Sequence, residues 1–185
     1  MTTDYLSLIT KHTQGEHPQT VPAFIIHSAL VTKKALDIAQ NYNTRHPDVN
    51  IDRRLLEEMG MLHDIGIFST ENPDLHTTGQ GEYITHIDRG AEILIAEGAA
   101  HLAGACRTHT GITREQAITR SLPLADENHM PETMEEEILC LADFFYSKRF
   151  DSLFYERSAE EVREHLRPYG QAAVQVFDDL AAKYL

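Results

Sequence analysis

The chain has 185 residues, of which 42% are apolar and 24% charged. This is the composition of one globular domain and not of a disordered or fibrous protein. Its 16 basic and 29 acidic residues give a net charge of −13, which disfavours binding to an extended nucleic acid. No apolar run approaches the roughly 18 residues of a membrane span, and the first residues lack the features of a signal peptide. With only Cys106 and Cys140 available for disulfides, we expect a reduced, cytoplasmic protein.

The first half of the chain predicts two helices and a loop. Apolar residues spaced by three and four positions form one stripe, which includes a histidine: Phe24, His27, Val31, Ala35, Ile38 and Tyr42. A second helix is predicted over residues 53–66, just after Asp52. Residues 69–83, with two glycines and one proline, predict a long loop near the candidate site.

The second half predicts only helices. They cover residues 86–97 and about 101–109, a short stretch from Thr113, residues 133 to about 150, a segment from Ser158, and a last segment from Pro168. Their ends are marked by capping pairs or helix-ending glycines: Gly98, Gly111, Thr113 with Gln116, Thr133 with Glu136, and Ser158 with Glu161. The predicted fold is all-α, with six to eight helices.

Histidine is unusually abundant, with 11 residues. His27, His63 and His109 fall on inward, apolar stripes, where an imidazole needs a partner for its ring nitrogens. One such histidine is typical of an ordinary core, whereas several on different helices together with carboxylates favour a metal site. The carboxylates are Asp64, next to His63 at the end of an apolar helix, and Asp143 within the apolar segment LCLADFF.

The order His27, His63-Asp64, Asp143 resembles the H…HD…D signature of the HD-domain phosphohydrolase superfamily. Residues 63–66 read HDIG, which resembles the HDIG subgroup, and Gly66 is expected to give backbone freedom just after the histidine–aspartate pair.

Two further histidines extend the likeness. His86 opens the segment HIDRGAEIL and His109 lies in CRTHTG, and both resemble later histidines of the superfamily. The resemblance spans about residues 20–150 and does not include the last 35 residues.

We expect one HD-type helical bundle over residues 1–185, with a motif-bearing core at about residues 20–150 and the helices of 158–185 packed on it. The resemblance implies one or two divalent metal ions, with iron, manganese, zinc, nickel, cobalt and magnesium all candidates. Imidazole and carboxylate donors together suit the transition metals best. The first ion would be held by His27, His63, Asp64 and Asp143, and Asp64 would bridge to a second ion held by His86 and His109.

The implied activity is hydrolysis of a phosphate ester or anhydride of a small metabolite, with a nucleotide as the best candidate. Metal-activated hydroxide would attack phosphorus, and a cationic side chain would orient the phosphate. Asp64, Arg107 and Lys148 are the candidate catalytic residues, and Arg89 is a third candidate cation. No membrane and no extended nucleic acid are expected as partners.

Three positions depart from the superfamily pattern. Position 67 is Ile and position 144 is Phe where many members have Lys, and no GYP motif follows His109. The missing GYP argues against a cyclic di-GMP phosphodiesterase, and the missing lysines leave the substrate open. Two alternatives therefore stay open: a di-iron oxygenase with the same ligands, and a regulatory module that binds a nucleotide or metal without turnover.

The remaining histidines lie in polar surroundings or at a helix start and are expected at the surface: His12, His17, His46, His76, His101, His129 and His165. His76 is distinctive because its long loop could fold over the site as a lid.

Overall fold

The computed structural model describes residues 3–13, 18–124 and 129–185. These residues form nine α-helices and one minimal hairpin, which confirms the all-α prediction. Helix α1 lies outside the predicted set of six to eight and accounts for the ninth. The helices are α1 (Tyr5–Thr13), α2 (Thr20–Arg45), α3 (Arg53–Leu62), α4 (His86–Ala96), α5 (Ala103–Thr108), α6 (Arg114–Thr119), α7 (Met134–Asp143), α8 (Ala159–Leu166) and α9 (Gln171–Tyr184).

Five helices surround the core that positions the candidate site. The long helix α2 packs against α3 and α7, while α4 packs against α5 and against a 3₁₀ turn at Ile65–Ser69. The predicted stripe of α2 is buried at Phe24, Val31 and Ala35. The inward faces of α2, α3 and α7 therefore meet along one apolar seam.

Helix ends follow the predicted capping residues. The Thr113, Thr133 and Ser158 side chains accept hydrogen bonds from backbone N–H groups three residues on, and each forms a complete capping box. Gly98 and Gly111 adopt φ values of 77° and 60° just beyond α4 and α5, a backbone conformation that favours glycine.

Helix α7 is shorter than predicted. It ends at Asp143 instead of continuing to about residue 150. The guanidinium of Arg157 donates hydrogen bonds to the carbonyl oxygens of Phe144 and Tyr146 at 3.2 and 2.9 Å, and the Arg157 N–H donates to that of Phe145 at 2.9 Å. These carbonyls are satisfied from outside the helix, so the chain turns and Lys148 lies in an irregular segment.

Two other helix boundaries also differ. Helix α3 ends at Leu62, so His63 and Asp64 lie at its carboxyl end and lead into the 3₁₀ turn instead of lying inside a helix that runs to residue 66. Pro168 belongs to a 3₁₀ turn, and α9 begins only at Gln171 because the backbone of Gly170, with a φ of 102°, is not helical.

The predicted loop of residues 69–83 contains a small hairpin, in which β1 (Glu71–Asn72) pairs antiparallel with β2 (Thr77–Thr78). At the other end of the chain, α9 packs on α7, α8 and α2. The buried ring of Phe177 meets those of Phe144 and Phe145, each with a centroid distance of 5.8 Å. Among the described residues, no helix has the length and apolar character needed to cross a membrane.

Candidate metal centre

Six predicted ligands come from five different helices and meet in the interior. Five of the side chains are buried, and Asp143 is partly buried. Each comes from a defined place: the middle of α2 (His27), the end of α3 (His63 and Asp64), the start of α4 (His86), the end of α5 (His109) and the end of α7 (Asp143).

The first group consists of His27, His63, Asp64 and Asp143, whose potential ligand atoms lie within 4.8 Å of one another. His27 Nε2 is 3.0 Å from Asp143 Oδ1 and 3.3 Å from Asp64 Oδ2. His63 Nε2 is 3.2 Å from the same Asp64 oxygen and 3.5 Å from Asp143 Oδ1. Two imidazoles and two carboxylates therefore face one point.

The second group shares Asp64 with the first and adds His86 and His109. The Nε2 atoms of both histidines are 3.3 Å from Asp64 Oδ1 and 3.2 Å from each other. The two oxygens of Asp64 thus point to different pairs of histidines, as a bridging carboxylate requires.

Three of the four histidines are oriented from behind by backbone carbonyls. The Nδ1 atoms of His63, His86 and His109 lie 2.8, 2.7 and 2.7 Å from the carbonyl oxygens of Gly60, Tyr83 and Cys106. An Nδ1–H that donates to a carbonyl leaves Nε2 free to act as a ligand, and this pairing is typical of metal-binding histidine.

The buried polar atoms of the first group fit a cation. Although the contacts are short, neither nitrogen of His27, neither oxygen of Asp64, nor His63 Nε2 or Asp143 Oδ1 has a hydrogen bond of acceptable geometry to any described residue. Leaving so many buried polar atoms unpaired is costly. A divalent ion would satisfy four of them together, His27 Nε2, His63 Nε2, Asp64 Oδ2 and Asp143 Oδ1, and the donor set suits a transition metal.

Lys148 brings a positive charge to this group. Its Nζ lies 2.8 Å from Asp64 Oδ2, and its side chain is only 16% exposed. Burial alone would lower the pKa of Lys148, but Asp143 and Asp64 outweigh it and raise that pKa well above its ordinary range. The ammonium is therefore charged at neutral pH.

Charge and burial also set the state of the other groups. Burial alone would raise the pKa of Asp64 and of Asp143, but Lys148 and the nearby imidazoles hold both well below the usual range. Burial alone would lower the pKa of His63, yet the two carboxylates raise it to about 10. Burial dominates at His109 and lowers its pKa to about 4. Ionised carboxylates therefore meet at least one neutral imidazole.

The other two candidate cations do not join this cluster. Arg107 is partly buried on α5, and within the described part of the chain it lies beyond ion-pair distance of Asp64 and Asp143. Arg89 is exposed on α4 and pairs with Glu92 at 3.4 Å. Of the three candidates, only Lys148 reaches the site.

Sequence reasoning missed Tyr83, which precedes α4. Its ring stacks on that of His86 with a centroid distance of 4.6 Å and an interplanar angle of 26°, and it lies near enough to Lys148 for the two side chains to interact electrostatically. Burial raises the pKa of this phenol, so it stays protonated and can donate a hydrogen bond. The sequence offers one signal for Tyr83, its position three residues before His86. This spacing is informative only when His86 is already known to be a site residue.

Gly66 has a different role from the expected one. A Cβ atom at this position would lie 2.0 Å from the carbonyl oxygen of His86 and 2.5 Å from the backbone nitrogen of Gly90. Its φ is not positive, so close approach and not backbone freedom requires glycine. This contact places α4, and therefore His86, beside Asp64.

The prediction that His129 is exposed is wrong. His129 is buried, and its backbone forms an isolated bridge with Ile112. His46, His76, His101 and His165 are exposed as predicted, and His12 is partly buried against Glu97. His17 lies outside the described residues.

The fold and the site together define a helical domain built around a buried histidine–aspartate centre that could hold divalent metals. The family model of the HD domain matches residues 24–148. The chain therefore belongs to the HD domain family, as its sequence pattern predicted.

Two curated relatives share part of the chain. A tRNA (cytidine(56)-2'-O)-methyltransferase of Picrophilus torridus is 38% identical over 95 residues, which cover 50% of this chain and 24% of the relative. A protein of the same name from Thermoplasma volcanium is 34% identical over 126 residues, 66% of this chain and 31% of the relative. The chain thus matches only about a quarter to a third of their length. No solved structure matches the chain.

Proposed function

We propose that this protein is a metal-dependent phosphohydrolase that cleaves a phosphate ester or anhydride of a small metabolite, with a nucleotide as the best candidate. The geometry of Asp64 is the observation that carries the proposal. One of its oxygens faces His27 and His63, and the other faces His86 and His109. A carboxylate shared by two sets of nitrogen ligands is suited to a two-metal hydrolytic site.

In this proposal the two groups hold one ion each. His27, His63 and Asp143 serve the first ion, His86 and His109 serve the second, and Asp64 serves both. When bound, such ions lower the pKa of a water and neutralise charge on phosphoryl oxygens. The mixed donors favour iron, manganese, cobalt, nickel or zinc over magnesium.

Lys148 and Tyr83 orient the substrate phosphate. The ammonium of Lys148 is charged and the phenol of Tyr83 is protonated, so both donate hydrogen bonds to phosphoryl oxygens. Lys148 thereby supplies the cation that positions 67 and 144 lack. The role is assigned to Lys148 and not to Arg107 because only Lys148 lies beside the ligand carboxylates among the described residues.

The names of the two relatives describe methyl transfer to tRNA. An alignment that takes in 66% of this chain necessarily includes part of residues 24–148, but it accounts for only 31% of the relative. We therefore do not carry the methyl transfer in those names over to this chain. The net charge of −13 also favours a small substrate over an extended RNA.

A substrate panel with several metals tests the proposal. The protein, stripped of metal and reloaded with manganese, iron, cobalt, nickel, zinc or magnesium, is assayed for phosphate release from nucleotides, sugar phosphates and phosphodiesters. We expect metal-dependent release that is lost with a chelator and restored by a transition metal. Oxygen uptake by the iron form without phosphate release would indicate the oxygenase instead. Binding of a nucleotide without any product would indicate the regulatory module.

Lys148→Met keeps an unbranched side chain, one atom shorter, and removes its charge. We expect kcat/KM for the best phosphate ester to fall about 10- to 100-fold, because one charge-assisted hydrogen bond to the phosphate is lost. Metal content, measured by elemental analysis, should not fall, since Lys148 is not a ligand. Lys33→Met, at an exposed lysine of α2, is the matched control and should behave as the parent. Unchanged kinetics in Lys148→Met would contradict the assigned role.

A further inference from the structure

Two chain segments meet beside the histidine–aspartate centre. One is the hairpin region that leads from α3 to α4, and the other is the irregular segment that follows α7. Arg149 Nη1 pairs with Asp74 Oδ2 at 3.1 Å across them, and closer to the ligands Lys148 Nζ of the second segment lies 2.8 Å from Asp64 Oδ2, just before the first segment. Together they form one edge of the site, which we call the lip.

An aromatic pair lies on this lip. The ring of Phe150 packs against the imidazole of His76 with a centroid distance of 5.5 Å and an interplanar angle of 47°. Phe150 is nevertheless 46% exposed, and His76 is exposed as well. The pair therefore presents π surface to solvent.

Phe150 is close to the phosphate-orienting residue by chain geometry. It follows Lys148 by two positions, and because consecutive Cα atoms are about 3.8 Å apart, their Cα atoms lie within about 7.6 Å. Lys148 itself reaches Asp64 at 2.8 Å. Phe150 is therefore within reach of a small ligand whose phosphate contacts Lys148.

The partner of Phe150 is held in place. His76 adopts a left-handed backbone with a φ of 54° at the end of a short 3₁₀ turn. The hydroxyl of Thr20 donates to the carbonyl oxygens of Leu75 and His76, at 2.6 and 3.3 Å. These bonds tie the backbone at His76 to the start of α2. The pair is therefore part of a surface that is tied to α2.

We propose that Phe150 and His76 form a stacking subsite for the base of a nucleoside phosphate, and that they favour nucleotides over other phosphate esters. This inference rests on the proposed function. An aromatic face binds any base by stacking, and Lys148 receives the phosphate of the same molecule.

The size of the patch favours a small ligand over a protein partner. A stable protein interface buries about 800 Å² on each side, whereas this pair offers two rings. A mononucleotide also brings little negative charge to a chain of net charge −13, and Lys148 compensates part of it locally.

The test compares a nucleoside 5′-monophosphate with ribose 5-phosphate, which has the same phosphate and sugar but no base. Phe150→Ala should lower kcat/KM for the nucleotide about tenfold, mainly through a higher KM, because one base-stacking contact is lost. The value for ribose 5-phosphate should change less than twofold. Phe150→Tyr, which keeps an aromatic ring, should retain the preference for the nucleotide.

Phe154→Ala is the matched control. Phe154 is 74% exposed on the same segment and has no ring contact with any described residue. Phe154→Ala should leave kcat/KM for both substrates unchanged. An equal effect of Phe150→Ala on the two substrates, or no effect on either, would overturn the inference.

Failure of the proposed function gives a different result. If neither substrate is hydrolysed with any metal, equilibrium dialysis of the nucleoside monophosphate against the metal-loaded protein replaces the kinetics. Binding that weakens about tenfold in Phe150→Ala and not in Phe154→Ala supports the subsite even without hydrolysis. No binding of the nucleotide, or binding that Phe150→Ala does not change, overturns it.

Discussion

Asp64→Ala is expected to abolish metal binding and to lower kcat/KM for the best phosphate ester about 1,000-fold or more, a loss of about 4 kcal/mol of transition-state stabilisation. Each oxygen of Asp64 faces a different pair of histidines, so one substitution removes a carboxylate from both ligand sets. Metal content by elemental analysis and steady-state kinetics on the same preparation measure the two effects.

Two comparisons make this result specific. Asp37→Ala removes an exposed carboxylate of α2 and should leave both metal content and activity at the parent level. His109→Ala belongs only to the second group and should remove one ion while the other stays bound. An Asp64→Ala protein with native helix content by circular dichroism, full metal content and parental activity would contradict the assignment.

The ligands were predictable because most of them lie where helical periodicity can be read. His27 falls on the buried stripe of α2, and His63 and Asp64 end the apolar helix α3. Asp143 lies in an apolar segment, where a buried carboxylate without a partner would be costly. His109 was also read from an apolar stripe, whereas His86 depended on resemblance, because it is the first residue of α4 and a stripe of apolar residues says little there.

The residues around the ligands depend on contacts that sequence patterns do not encode. Lys148 reaches Asp64 only because α7 ends at Asp143, and that end is fixed by hydrogen bonds from Arg157. A capping box predicts where α7 starts. Where α7 ends, however, is determined by the side chain of Arg157, which lies 14 positions after Asp143. The sequence pattern does not show this contact, so it predicted a helix that continues to about residue 150.

Burial of a polar residue in a loop is equally hard to predict. His129 is buried where its backbone pairs with Ile112, although the three residues before it in sequence are polar. Tyr83 gives no periodic signal, and its place against His86 follows from how α4 packs. In both cases a contact between distant segments overrides local composition.

Gly66→Ala is expected to lower the free energy of unfolding by about 3 kcal/mol, or about 6 to 12 °C in Tm for a domain of this size. The new Cβ would lie 2.0 Å from the His86 carbonyl oxygen and 2.5 Å from the Gly90 nitrogen. Both are backbone atoms of α4, so no side-chain rotation relieves the clash and the helix must move. Thermal unfolding measures the cost.

The same displacement should act selectively on the metal centre. Helix α4 carries His86, whose Nε2 is 3.3 Å from Asp64 Oδ1, whereas His27 and Asp143 lie on α2 and α7. Gly66→Ala should therefore weaken the second ion more than the first in a metal titration. Gly98→Ala is the control, because at φ 77° it strains the backbone but meets no atom within 4 Å. Gly98→Ala should lower the free energy of unfolding by only about 1 kcal/mol and leave both ions bound. Equal loss of the second ion in Gly66→Ala and Gly98→Ala would mean that α4 does not position the second set of ligands.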